Sequence, residues 1–212
     1  MKSKDGSTIV ARTIEWGGSN LNSQYVIVPR GYSEQSYVPN GTDGMFFTAR
    51  YGYVGLAVEQ KEFVAEGLNE VGLSAGLFYF PDYGKYENYD VTLKDKSIAD
   101  LQLVAWILGL CKTVEEVKEA VLKVHIVHID PRASTVHWRF TDTSGKIPVN
   151  IPSATQWTSA TDMKNQIIYY RTMYNNLIRS IDLRTIDFSR ISYQAAPLDK
   201  TKKQNIEIIK VK

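Results

Sequence analysis

Cysteine is nearly absent from this chain, with Cys111 alone among 212 residues. An internal disulfide framework and a thiolate zinc cluster are thereby excluded. No stretch approaches the roughly 20 consecutive apolar residues that span a bilayer as a helix. Charge of one sign is also missing: 25 Lys and Arg against 23 Asp and Glu leave a formal charge of +2. A nucleic-acid partner, which needs a concentrated basic face, is not expected. The locally basic stretch from Asp199 to Lys212, with five lysines against two acids, reads as a solvated end. Neither phosphate-binding signature, G-x-x-x-x-G-K-[ST] or G-x-G-x-x-G between strand and helix, is present. Met1-Lys-Ser-Lys-Asp-Gly6 has no apolar leader and no cleavage site, so the sequence as written reads as cytoplasmic. Loss of an upstream leader would make the destination periplasmic or secreted.

What is present is a globular composition, 43% hydrophobic and 23% charged, long enough to bury one core. A single domain over 1–212 is expected. Strand patterns dominate. Residues 7–16 alternate, with Val10, Arg12, Ile14 and Trp16 on one face, so Arg12 shares an otherwise apolar surface. Further strands are predicted over 25–29, 45–59, 63–66 and 73–80, the last ended by Pro81, then 124–129, 135–141, a hairpin over 155–172 and short strands over 178–188. Two helices interrupt them. Residues 98–111 are apolar nearly all round and should lie between layers. The second opens on Thr113-Val-Glu-Glu116, a capping box, and is amphipathic. Hairpins with two adjacent helices and no βαβ alternation give an α+β fold on largely antiparallel sheet.

Few groups qualify for chemistry. Gly72-Leu-Ser-Ala-Gly76 spells a serine nucleophile elbow, but Ser74 runs on into strand where that motif requires a helix. A serine hydrolase using Ser74 therefore stays as an alternative only. His125, His128 and His137 have neither triad nor metal spacing, and Cys111 sits on the buried helix as a small hydrophobe. No metal and no cofactor are expected. Arg12, flanked by Glu15 and Trp16, is either a paired arginine in the sheet or an electrostatic fixture of a site.

Several strings carry a resemblance. Lys4-Asp-Gly-Ser-Thr-Ile-Val-Ala-Arg-Thr-Ile-Glu-Trp16, Val28-Pro-Arg-Gly31, Tyr51-Gly-Tyr-Val-Gly55, Glu66-Gly-Leu-Asn-Glu70, Gly76-Leu-Phe-Tyr-Phe-Pro81, Val136-His-Trp138 and Thr155-Gln-Trp-Thr158 resemble the choloylglycine hydrolase family of bile salt hydrolases and penicillin V acylases. The resemblance implies an αββα sandwich of the N-terminal-nucleophile type that hydrolyses a linear amide of a small molecule, and a homo-oligomer, a tetramer in the family. It implies a cysteine nucleophile exposed as first residue, its own α-amine serving as base. Arg12 matches the arginine beside that cysteine. Glu15 falls where many members carry aspartate. Tyr79 falls where bile salt hydrolases carry asparagine and many penicillin V acylases tyrosine, a position of the oxyanion hole. Trp16 and Tyr79 are the expected substrate contacts, and Tyr79 with the Glu15-Trp16 pair leans toward the acylase branch.

Two departures qualify this. The family cysteine belongs a few residues before Lys4, where this sequence reads Met1-Lys-Ser, so the chain as written is expected to be inactive, a remnant or a binding protein. The sequence also passes directly from Thr141-Asp-Thr-Ser-Gly-Lys146 to Ile147-Pro-Val, which resembles the region before the family's C-terminal strands. An internal deletion near 146–147 is expected, leaving the sandwich incomplete with exposed edges and apolar faces.

Overall fold

The computed structural model describes residues 6–17, 20–41, 43–80, 84–133, 135–143, 155–172 and 175–201. The expectations that rest on Met1–Asp5, Pro81 and the 146–147 junction lie outside them. In chain order the strands are β1 (Ile9–Glu15), β2 (Gln24–Val28), β3 (Ser33–Gln35), β4 (Phe46–Thr48), β5 (Tyr53–Ala57), β6 (Val64–Asn69), β7 (Ser74–Tyr79) and β8 (Ser97–Ala99). Helices α1 (Leu103–Leu110) and α2 (Val114–Val121) follow, then β9 (His125–Val127), β10 (Val136–Thr141), β11 (Thr155–Asp162), β12 (Ile167–Thr172), β13 (Asn175–Asp182) and β14 (Gln194–Pro197).

Two antiparallel sheets face each other, as the α+β reading requires. One has the order β1-β11-β12-β13, the other β10-β7-β6-β5-β2-β14. Side chains alternate across a strand, so each inward face is set by every second residue. Val10 and Ile14 of β1, Trp157 of β11 and Ile168 and Tyr170 of β12 meet Val54 and Leu56 of β5 and Leu68 of β6 in the core between the sheets. Each fully buried side chain of this size contributes roughly 1.5–3 kcal/mol.

The opposite face of the six-stranded sheet carries the helices. Val64, Ala75 and Leu77 pack there with Val104, Ala105 and Leu108 of α1. The approach is close because β6 offers Gly67, where a Cβ would stand 2.5 Å from Leu108 Cδ1. Buried Asn69 ends α1, its Nδ2 donating to the carbonyls of Leu108 at 2.9 Å and Cys111 at 2.7 Å. At α2 the expected cap is present: Thr113 Oγ1 accepts from Glu116 N at 3.2 Å, while the Glu116 carboxylate reaches back to Lys112 N. Among the described residues both α-helices lie on this side of the sandwich.

Several boundaries differ from the sequence reading. The buried helix begins later than 98, because Ile98 belongs to β8, which pairs in parallel with β9. The expected strand over 45–59 divides at 49–52, where Arg50 N and Tyr51 N donate to Gly109 O and Gly52 N to the Glu70 carboxylate. Tertiary partners there outweigh β propensity. β6 runs on to Asn69, beyond the 63–66 expected from the sequence, and β14 lies where the sequence predicts no strand. Its four residues bear no alternation, and only pairing with β2 defines it.

Candidate active site

Arg12 stands at the middle of β1 with its side chain directed between the sheets. The backbone beneath it is prepared by an interruption in strand pairing. β6 pairs with β7 only from Leu68↔Ser74 to Glu66↔Gly76. On its other side β6 carries a bulge, since Leu56 opposes Glu66 while Ala57 opposes Val64. Beyond Gly76 the two strands part, which turns the carbonyls of Ala65 and Leu77 away from ladder bonds. Arg12 Nη1 donates to both, at 3.1 Å for Ala65 O, and Nε donates to Thr13 O at 3.1 Å. The guanidinium also lies over two rings, with Cζ 4.4 Å from the Phe78 centroid and 5.4 Å from that of Trp157. Among the described residues nothing accepts from Nη2.

Burial pulls the Arg12 pKa down to about 10, Glu66 opposes that shift, Arg139 adds to it and Glu15 opposes it more weakly. The arginine is still a cation at neutral pH. Glu66 and Arg139 come from β6 and β10 on either side of Gly76 and are 1% and 4% exposed. Arg139 Nη2 meets Glu66 Oε1 at 2.5 Å. His137, two residues earlier on β10, stacks on Phe78 with centroids 5.3 Å apart. Burial first, and the charge of Arg12 second, lower its pKa, so the imidazole is neutral at pH 7.

The residues singled out in the sequence are thus partly brought together. Arg12 is central. Glu15 follows a register shift in the pairing of β1 with β11 and acts on Arg12 through space. Tyr79 does not share the inward face of Gly76 and Phe78. It lies at the rim, half exposed, with its ring edge-on to Trp16 at 6.0 Å. Ser74 is in a strand, fully buried, and donates to Glu66 Oε1 at 3.3 Å. Cys111 is on the helix side of the sheet, 1% exposed, its thiol pushed up to about 11 chiefly by burial. Sequence reasoning passed over Glu66, Phe78 and Arg139. The signal available was charge at inward positions: Glu66 precedes Leu68 by two, and His137, Arg139 and Thr141 alternate on one face. Among the described residues no three His, Cys, Asp or Glu side chains gather as metal ligands do.

Residues 1–153 match the model of linear amide C–N hydrolases, choloylglycine hydrolase family. The chain belongs to that family. It is 28% identical over 152 residues to a bile salt hydrolase/transferase from Clostridium perfringens, which takes in 69% of this chain and 44% of the relative. A bile salt hydrolase/transferase from Lactiplantibacillus plantarum is 30% identical over 106 residues, 47% of this chain and 32% of that protein. The family member described here therefore spans less than half the length of these relatives. Its fold is that of solved members. A conjugated bile acid hydrolase from Clostridium perfringens superposes with a TM-score of 0.77 at 18% identity, over 99% of this chain and 98% of that one. A penicillin V acylase from Agrobacterium tumefaciens superposes with a TM-score of 0.78 at 15% identity, over 93% and 90%. The likeness in fold thus reaches β11 to β14, beyond the residues that the family model matches.

Proposed function

We propose that the inter-sheet space around Arg12 receives a small-molecule linear amide, a conjugated bile salt or a penicillin V-like side-chain amide, and that the family's hydrolytic chemistry belongs to this site. The observation that carries the reading is Arg12 itself. A cation at mid-strand, anchored on Ala65 O and Leu77 O with Nη2 unclaimed among the described residues, is poised to orient an amide oxygen or an anionic group. Glu15, Trp16 and Tyr79 are proposed as the rim that the ligand passes, with Tyr79 giving the weak preference for the acylase type.

For the 212-residue chain we propose binding without cleavage. An amide hydrolase of this family works through a thiolate. Cys111, the one cysteine, lies across the six-stranded sheet from Arg12 with its thiol firmly protonated. A single domain shortened internally near 146–147 is part of the same proposal. It is supported by a sequence match to under half of the relative beside a superposition that runs nearly end to end.

The experiment offers the pure chain a glycine-conjugated bile salt and penicillin V, and follows free glycine and phenoxyacetate together with binding. Saturable binding with no release is expected. Release of either product would overturn the inactive reading, and absence of binding would overturn the assignment of the site. A serine-directed phosphonate separates out the serine hydrolase alternative. No labelling of buried Ser74 is expected.

A further inference from the structure

A buried ion pair is a costly feature. Desolvation offsets most of the attraction, and replacement by apolar groups is often neutral for stability. Glu66 and Arg139 form such a pair, and it is incompletely satisfied: among the described residues Glu66 Oε2 and Arg139 Nε have no hydrogen-bond partner. The pair also constrains the backbone. A Cβ on Gly76 would stand 2.5 Å from Glu66 Oε2 and 2.9 Å from Arg139 Nη2, so β7 needs glycine where the pair closes over it. Stability alone gives no reason for this arrangement.

Its place beside Arg12 gives one. Glu66 is the carboxylate whose charge acts most strongly on Arg12, and an unrestrained carboxylate next to a guanidinium takes a bidentate pair. Such a pair would draw Arg12 off the carbonyls of Ala65 and Leu77 and consume Nη2. Arg139 prevents this by engaging Glu66 Oε1 itself, at 2.5 Å from Nη2, with Ser74 Oγ donating to the same oxygen at 3.3 Å. Arg139 Nη1 is itself set by Ser74 Oγ at 3.3 Å and Thr141 Oγ1 at 3.4 Å. We infer that Glu66 and Arg139 are a positioning pair: together they present Arg12 with a carboxylate whose charge is already matched, and Arg139 holds that carboxylate so that Arg12 stays on its carbonyls with Nη2 free for the ligand. This rests on Arg12 as the ligand-binding cation.

Arg139→Met releases Glu66 onto Arg12, so affinity for the glycine-conjugated bile salt and penicillin V falls about tenfold or more, the equivalent of one charge-assisted hydrogen bond. Adding Glu66→Gln to Arg139→Met removes the competing charge, and affinity returns to within about threefold of the parent, although two buried groups have now been changed. A purely structural pair would make the double variant as weak as the single or weaker. Either that result, or parental affinity in folded Arg139→Met, overturns the inference. Should Arg139→Met not fold, the double variant decides alone, since it removes both charges of the pair together: near-parental affinity supports the inference and tenfold loss defeats it. The second readout is the Arg12 Nε–H resonance, identified by its loss in Arg12→Lys. It should shift in Arg139→Met and return in the double variant without any ligand. If the parent binds neither compound but the resonance behaves so, the positioning stands and the ligand assignment fails. If the compounds bind and the resonance does not move, the reverse holds.

Discussion

Arg12 and Ala65 belong to different sheets, and the 3.1 Å hydrogen bond from Arg12 Nη1 to Ala65 O links them across the sandwich interior. The bond exists because β6 bulges at Ala65 and parts from β7 beyond Gly76, which leaves carbonyls without ladder partners. A long donor from the facing sheet fills the gap. The same side chain is therefore both a structural plug and the cation of the site, and replacing it should test both roles.

Gly76→Ala should destabilise the protein by about 1–3 kcal/mol, the cost of forcing a methyl group into a filled space. The added Cβ meets Glu66 Oε2 at 2.5 Å and Arg139 Nη2 at 2.9 Å, and both side chains are buried. Urea melts of the parent and the variant at pH 7 check this. An unchanged midpoint would show that the pair moves freely.

Glu34 predicts a pH dependence remote from the site. Burial, the main cause, raises its carboxyl from an ordinary 4.5 to about 7, against a Gln102 Nε2 hydrogen bond that favours the charged form. A raised acid pKa means that the folded state holds the proton more tightly than the unfolded one. Its contribution is full below about 4.5 and is lost as pH rises through about 7. Glu34→Gln keeps the oxygen that accepts from Gln102 and cannot ionise. At pH 8 it should be more stable than the parent by on the order of 1–3 kcal/mol, with the advantage gone near pH 4.5. Chemical melts at the two pH values decide, and equal stability at pH 8 would contradict the burial argument.

Cys111 should be inert in the native protein. It is 1% exposed and its thiol is raised to about 11, so the thiolate fraction at pH 8 is small and shielded. A disulfide reagent is expected to react only at the rate of unfolding. Rapid stoichiometric labelling would mean that the helix layer opens readily.

How much of this was legible in the sequence varies with the physics involved. β1 and the hairpin of β11 and β12 were readable because period-two alternation there coincides with burial, and β7, buried on both faces over Ser74–Leu77, because its run has strand length. The α2 cap was readable because Thr113 and Glu116 interact locally. Ile98 was misplaced in a helix because a fully buried strand and a fully buried helix are both simply apolar. Arg12 announced itself as a charge among Val10, Ile14 and Trp16. Glu66 and Arg139, 73 positions apart, gave no such signal, since only the meeting of β6, β7 and β10 makes them a pair. Phe78 was eclipsed by Tyr79, because the string Leu77-Phe-Tyr-Phe80 does not say which residue faces inward.

The most direct measurement is the affinity of the purified chain and of Arg12→Met for penicillin V and for a glycine-conjugated bile salt, by titration calorimetry at pH 7. Saturable binding of at least one compound by the parent is expected, with a loss of about tenfold or more in a variant shown to be folded, as removal of a charge-assisted contact requires. Equal affinity in parent and variant would contradict it, because Arg12 would then be a plug between the sheets and nothing more.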